Sequence, residues 1–221
     1  MTNRPRVTWV VAVTLDGRVA APDVSPRTWI SSQAARLDTR RLRDQHDAVL
    51  FGSGTARTDD PLLGLGPDTG ERHPLRIVLD ARAEIVSTGS RFASGPGSVL
   101  VVIGSTVDAA RIARGVEVIR LPTDPFGRFS LRTVLDTLAQ RGIAELLVEA
   151  GPTLAGNLLA AGLVDRVVAY VAPLIVGAGP AAVTIPGAGD LAAAHRFSIT
   201  SITRIGDDVR IDLERPVADD G

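Results

Sequence analysis

Short apolar runs rich in valine and isoleucine alternate along this chain with stretches of helical periodicity. Residues 7–13 (VTWVVAV) are almost continuously apolar and close on Thr14-Leu15-Asp16-Gly17, which predicts a strand buried on both faces and then a turn. Ser31-Ser32 offer an N-cap to a helix carrying Ala35, Leu37 and Leu42 and reaching about Gln45. Further strands are predicted over 47–52, 75–80, 98–104 and 116–121, with a helix near 108–114. Ser130 caps a helix that Gly142 ends, and 145–149 (ELLVE) reads as a strand. Gly151-Pro152 opens a helix to Gly162, with proline in the first turn, where its missing N–H costs nothing. A strand over 164–172 follows. Residues 197–202 and 209–213 alternate like a closing hairpin around Gly206-Asp207-Asp208. Strands alternating with helices predict one α/β domain with a mostly parallel central sheet, helices on both faces and an antiparallel C-terminal edge.

Composition narrows the chemistry. The chain has 221 residues, 45% hydrophobic and 22% charged, which is an ordinary globular mix. With no cysteine, disulfide scaffolds, iron–sulfur clusters and thiol nucleophiles are excluded. All 24 basic residues are arginine, so a Walker-type phosphate loop and Schiff-base catalysis, which need lysine, are excluded as well. The net charge is −1 and aromatics are 4%, without the basic face and stacking platform of a nucleic-acid binder. No apolar run reaches the ~18 residues of a membrane span. The start of the chain leads into a strand-like run rather than a signal-peptide core. A cytoplasmic protein with neither nucleic-acid nor membrane partner is the expectation.

Two segments have the order strand, glycine, helix start: Phe51-Gly52-Ser53-Gly54-Thr55 and Glu149-Ala150-Gly151-Pro152-Thr153. Backbone N–H groups at such a helix start can face an anion, and ligands of open α/β sheets sit beyond the carboxyl ends of the strands. Either turn alone also serves merely to pass from strand to helix; the pair favours a dinucleotide. A G-x-G-x-x-G fingerprint is absent. Asp59-Asp60-Pro61 either caps a turn or supplies a carboxylate to a ribose or a proton. Glu149, at the end of an apolar strand, reads as a ligand contact. His46, His73 and His195 have no metal-ligand spacing and read as surface or loop residues; no metal is expected. No nucleophile-elbow pattern surrounds Ser53.

Taken together, these segments resemble the reductase domain of riboflavin biosynthesis enzymes. The matching runs are Thr14-Leu15-Asp16-Gly17-Arg18, Thr28-Trp29-Ile30-Ser31-Ser32, Leu42-Arg43 and Gly52-Ser53-Gly54-Thr55 with Thr58-Asp59-Asp60-Pro61-Leu62-Leu63. They continue with Arg76-Ile77-Val78-Leu79-Asp80, Val148-Glu149-Ala150-Gly151-Pro152-Thr153-Leu154-Ala155-Gly156, Gly162-Leu163-Val164-Asp165 and Ala172-Pro173. The match covers about 7–179, with edge strands near 197–213, and residues 1–221 are expected to form a single free-standing reductase domain.

The resemblance implies a dihydrofolate-reductase-like fold, a homodimer and NADPH. The implied reaction reduces the ribosyl group of 5-amino-6-(5-phosphoribosylamino)uracil, or its 2,5-diaminopyrimidinone analogue, to ribityl. By position, Ala12, Trp29, Thr55 and Asp59 would contact the cofactor. So would Asp80, Ala81 and Arg82, and the helix start Gly151, Pro152, Thr153, Leu154, Ala155, Gly156 and Asn157. Arg43, Leu63 and Glu149 would contact the substrate, with Asp59 and Glu149 catalytic. Two positions depart from the family's habit: Leu63-Gly64-Leu65-Gly66 stands for L-T-x-R, and Val10 for a lysine or asparagine. A reductase acting on another pyrimidine- or pteridine-like heterocycle is therefore the alternative, and a non-catalytic nucleotide-binding regulator a further one.

Overall fold

The computed structural model describes residues 4–22, 29–59, 73–85, 98–108, 116–185 and 189–216. They belong to two compact units, one holding Arg40–Ala150 with the first residues of the chain, the other holding Val7–Thr39 and Gly151–Gly221.

The first unit is a parallel sheet. Its strands are β2 (Ala48–Gly52), β3 (Leu75–Leu79), β4 (Val99–Gly104), β5 (Glu117–Leu121) and β6 (Glu145–Glu149), in the order β5-β4-β3-β2-β6. Leu50, Phe51, Ile77, Val78, the run from Leu100 to Ile103, and Leu146, Leu147 and Val148 are buried along the strand cores. Unbroken apolar runs of this kind are what a parallel sheet covered on both faces requires. Helix α3 (Leu131–Gln140) turns Val134, Leu135 and Leu138 inward. The Ser130 side chain accepts from the N–H of Thr133, and Gly142, at φ 82°, ends the segment, as the sequence predicts. At the amino end of the strands Asp47 acts as a clamp. Its carboxylate accepts from the N–H groups of Ala144 and Glu145, at 3.0 and 2.9 Å, and its own N–H donates to Glu145. That contact sets the register in which Phe51 lies opposite Glu149.

In the second unit, β1 (Arg6–Thr14) pairs in parallel with β7 (Arg166–Ala172). Antiparallel pairs then join β7 to β9 (Asp208–Glu214) and β9 to β8 (Ser198–Ile205). Helix α4 (Pro152–Ala160) starts on Gly151, with proline at its first position, and Gly162 at φ 67° follows its end. Helix α1 (Gln33–Asp44) begins where Ser32 accepts from the N–H of Ala35. The hairpin turns at Gly206, as expected, but β8 is exposed along almost its whole length, Ile199 and Ile202 included. Its alternating pattern therefore does not mark a buried face, because this edge strand lies beyond the apolar layer. The predicted helix near 108–114 falls, apart from Asp108, outside the described residues.

The turn after β1 is built on Asp16, whose carboxylate accepts from the Thr14 hydroxyl and from the N–H groups of Gly177 and Val176. The Thr14 hydroxyl contributes most, ahead of Gly177, and together they hold the carboxyl down at about 2 against the small opposing effect of burial. A group depressed in the folded state stabilises it above the unfolded pKa, and that contribution disappears as pH falls through the folded one. Wild type should therefore melt higher than Asp16→Asn at neutral pH. The difference should shrink between about pH 4 and pH 2, the window set by the two pKa values. Thermal melts of both proteins across that range check it; a constant gap would remove Asp16 from the role.

Candidate functional site

The carboxyl ends of the first unit's parallel strands share one edge, and most of that unit's expected site residues gather there. Glu149 closes β6. It is held by Arg43, from the last turn of α1, through two parallel hydrogen bonds: Nε to Oε1 at 2.5 Å and Nη2 to Oε2 at 2.7 Å. Their side chains are only 15% and 18% exposed. Burial alone would lower the guanidinium pKa, but the facing Glu149 carboxylate outweighs it and the net shift is upward. The result is a fixed pair of complementary charges at a solvent-reachable rim, with a planar fork gripping a planar acceptor. Such a pair can hold a polar heterocycle in one orientation, because the carboxylate accepts from N–H or O–H groups and the guanidinium donates to carbonyls.

Helix α2 (Ser53–Asp59) leaves the carboxyl end of β2. Thr55 is half-buried within it, and Asp59 is its last residue. Asp60 and Leu63 lie outside the described residues, as do Gly64, Leu65 and Gly66. Beyond β3 comes the turn at Asp80, Ala81 and Arg82. The buried Asp80 carboxylate accepts from the N–H groups of Glu84 (3.0 Å) and Ile85 (2.8 Å), so it is committed to shaping the turn. Gly104 comes close beneath, donating to the Ala81 carbonyl at 3.0 Å, where a Cβ would sit 2.8 Å from that oxygen. Arg82 is left exposed at the tip.

The remaining expected contacts belong to the second unit. Ala12 lies in β1, and Val10 beside it is buried. Trp29 is 57% exposed, with the Arg36 guanidinium 5.3 Å from its ring centre. Gly151, extended at φ −68° and ψ 169°, begins α4, and no side chain caps the helix's first turn. The N–H groups of Thr153 and Leu154 are thereby available to an anion at the positive end of the helix. That uncapped start fits the pyrophosphate of a dinucleotide. Leu154 and Asn157 are half-buried, Ala155 and Gly156 buried.

His46 lies in the connection between α1 and β2, as the loop reading expects, but its ring is buried, with Nδ1 2.6 Å from the Leu42 carbonyl at the end of α1. The imidazole substitutes for a helix-terminal donor. His73 and His195 are exposed, as expected. Sequence reasoning also missed a polar network in the second unit. There Asp38 accepts from the Tyr170 hydroxyl and from Arg210, and Asp212 accepts from Arg210, Arg166 and Ser201. Burial, then Asp38, raises the Tyr170 pKa. An open polar groove of about 340 Å³ runs over this network, but Arg166 and Arg210 already spend their charge on carboxylates. It is a structural tie. Among the described residues no cluster of metal-ligating side chains is present, and no helix is long and apolar enough to cross a membrane.

The parallel sheet of the first unit, and the parallel pair, antiparallel hairpin and glycine-led helix of the second, are elements of the dihydrofolate-reductase-like fold class. The Enterococcus faecalis dihydrofolate reductase complexed with NADP(H) shares the fold at a TM-score of 0.54 and 11% identity, over 96% of this chain and 97% of its own. Within that class the chain belongs to the RibD C-terminal domain family, which it matches over residues 5–211. It is 35% identical to the Mycobacterium tuberculosis riboflavin biosynthesis protein RibD over 96% of this chain and 55% of that protein. The Acinetobacter baumannii RibD structure superimposes at a TM-score of 0.80 with 30% identity, covering 98% of this chain and 59% of that one. Rib7, the riboflavin biosynthesis reductase of Saccharomyces cerevisiae, has the same fold at a TM-score of 0.75 and 20% identity, over 98% and 92%. The chain spans a little over half the length of the RibD relatives it matches.

Proposed function

We propose that residues 1–221 form one cytoplasmic, homodimeric reductase domain that uses NADPH to convert the ribosyl group of 5-amino-6-(5-phosphoribosylamino)uracil to ribityl. The observation that carries this reading is the Arg43–Glu149 fork at the carboxyl edge of the parallel sheet, in a chain of the RibD C-terminal domain family. When bound, such a cofactor would supply the hydride that reduces the sugar C1′, with a proton completing the reduction. Thr153 and Leu154 N–H groups would hold the pyrophosphate, and Thr55, Ala12 and Trp29 are further cofactor contacts that the resemblance implies. Arg43 and Glu149 would orient the uracil ring, so that binding energy goes into alignment. Loss of the near-ultraviolet absorbance of reduced nicotinamide, on adding the phosphoribosylamino-uracil, tests the proposal. Turnover of a different heterocycle instead would favour the alternative that Gly66 and Val10 raise. Cofactor binding without turnover of any heterocycle would leave a regulator.

Asp59 carries the acid–base role in this reading. Asp59 closes α2 four residues after Thr55, about one helical turn further on. Asp59→Asn keeps the shape and removes the charge. Turnover should fall at least tenfold, which is about 1.4 kcal/mol on the barrier, while Asp60→Asn should stay near wild type. Steady-state kinetics on both variants decides; equal losses with folding intact would reverse the assignment.

A further inference from the structure

The same edge of the first unit carries a second charged cluster, two strands away from Glu149. Arg57, in the last turn of α2, donates from Nη1 to Glu84 Oε2 at 2.8 Å. Arg82 Nη1 lies 3.7 Å from the other carboxylate oxygen. The side chains are 60%, 36% and 73% exposed for Arg57, Glu84 and Arg82, so a solute can reach all three. Exposed pairs of this kind contribute little to stability, so the fold does not require them.

The backbone beneath them is fixed. Asp80 pins the N–H groups of Glu84 and Ile85, Gly104 packs against Ala81, and Ala83 is held at φ 52°. Arg82 and Glu84 are thus presented on a pre-shaped turn at the carboxyl end of β3. From β6 to β3 is two strand spacings, about 10 Å. That is a distance a dinucleotide covers when its reactive end lies near Glu149.

Beyond a strand end, two side-chain chemistries recognise the adenosine ribose. Arginine matches a 2′-phosphate with its fork, and a carboxylate accepts from a free 2′-hydroxyl. This turn holds both. We propose that Glu84 is a specificity-determining residue: it competes with a 2′-phosphate for Arg57 and Arg82 and keeps the preference for the phosphorylated dinucleotide below what the two arginines alone would give. The inference rests on the reading of the chain as a nicotinamide-dependent reductase.

The test is calorimetric binding of NADP+ and NAD+ to the intact chain, without turnover. Glu84→Gln should tighten NADP+ about tenfold, since one like charge is removed from the phosphate, and leave NAD+ unchanged or weaker. Arg57→Ala should weaken NADP+ by a similar factor and spare NAD+. Both variants should melt like wild type, because all three side chains are exposed. A ratio of NADP+ to NAD+ affinity unmoved by Glu84→Gln, or NADP+ binding intact in Arg57→Ala, overturns the assignment. If wild type still reduces the heterocycle with NADPH in that case, the reductase reading stands and only the role of Glu84 falls. If wild type binds neither dinucleotide, both fall together.

Discussion

Gly156→Ala is expected to destabilise the protein by about 2–4 kcal/mol, the upper range for overpacking, and to lower the melting temperature by roughly 5–15 °C for a chain of this size. A Cβ built at Gly156 would sit 1.9 Å from the Thr184 carbonyl oxygen and 2.7 Å from its carbon. Both are backbone atoms, so no side-chain rotation relieves the overlap. The crossing segment is also tied down, since the Thr184 N–H donates to the Pro152 carbonyl at 3.1 Å. Alanine has a better helix propensity than glycine by about 1 kcal/mol, a gain too small to offset the clash. Gly54→Ala in α2 is the matched control. Nothing lies within 4 Å of its added Cβ, so that variant should be neutral or slightly more stable. Thermal unfolding of the two variants side by side gives the answer, and similar melts would mean that α4 and the 184–185 segment part easily.

Arg43→Met is expected to cost about 2–4 kcal/mol and to abolish most turnover. It leaves the Glu149 carboxylate, largely shielded from water, without the fork that satisfied both of its oxygens. The double variant Arg43→Met/Glu149→Leu removes both charges and should recover much of that stability, because the stranded carboxylate is gone. It should remain inactive. A double variant as unstable as the single would show that the pair contributes more than mutual neutralisation. Activity in the double variant would remove both residues from substrate binding. Denaturant unfolding and single-turnover kinetics separate the two effects.

Legibility in the sequence followed the range of the interactions. Ser130, Gly142, Gly151-Pro152 and Gly162 placed α3 and α4 within a residue or two, because caps and left-handed glycines act on their immediate neighbours. The parallel strands were legible because burial on both faces writes itself as an unbroken apolar run. The burial of His46 was not legible, because the Leu42 carbonyl against its ring is a backbone group that no side-chain spacing reveals. The Asp38 network joins residues 132 and 172 positions apart, and nothing local marks either end. Arg43 and Glu149 are separated by 106 positions. Glu149 was conspicuous alone at its strand end, but its partner came only from the family resemblance. Exposure of β8 was invisible for the converse reason, since its isoleucines look the same whether or not a layer covers them.

The Asp47 clamp has a bearing on how such a protein can diversify. Strand register is locked at the amino ends of β2 and β6, by a carboxylate that accepts from two backbone N–H groups there. Glu149 is therefore positioned from four residues upstream, independently of whatever follows the strands. Connections leaving the carboxyl edge can lengthen, shorten or change composition across descendants without sliding the acid out of line. On the proposed reading, substrate range is thus free to drift in the loops while the geometry around Glu149 is inherited with the sheet, and a lineage can change its ligand without first losing its fold.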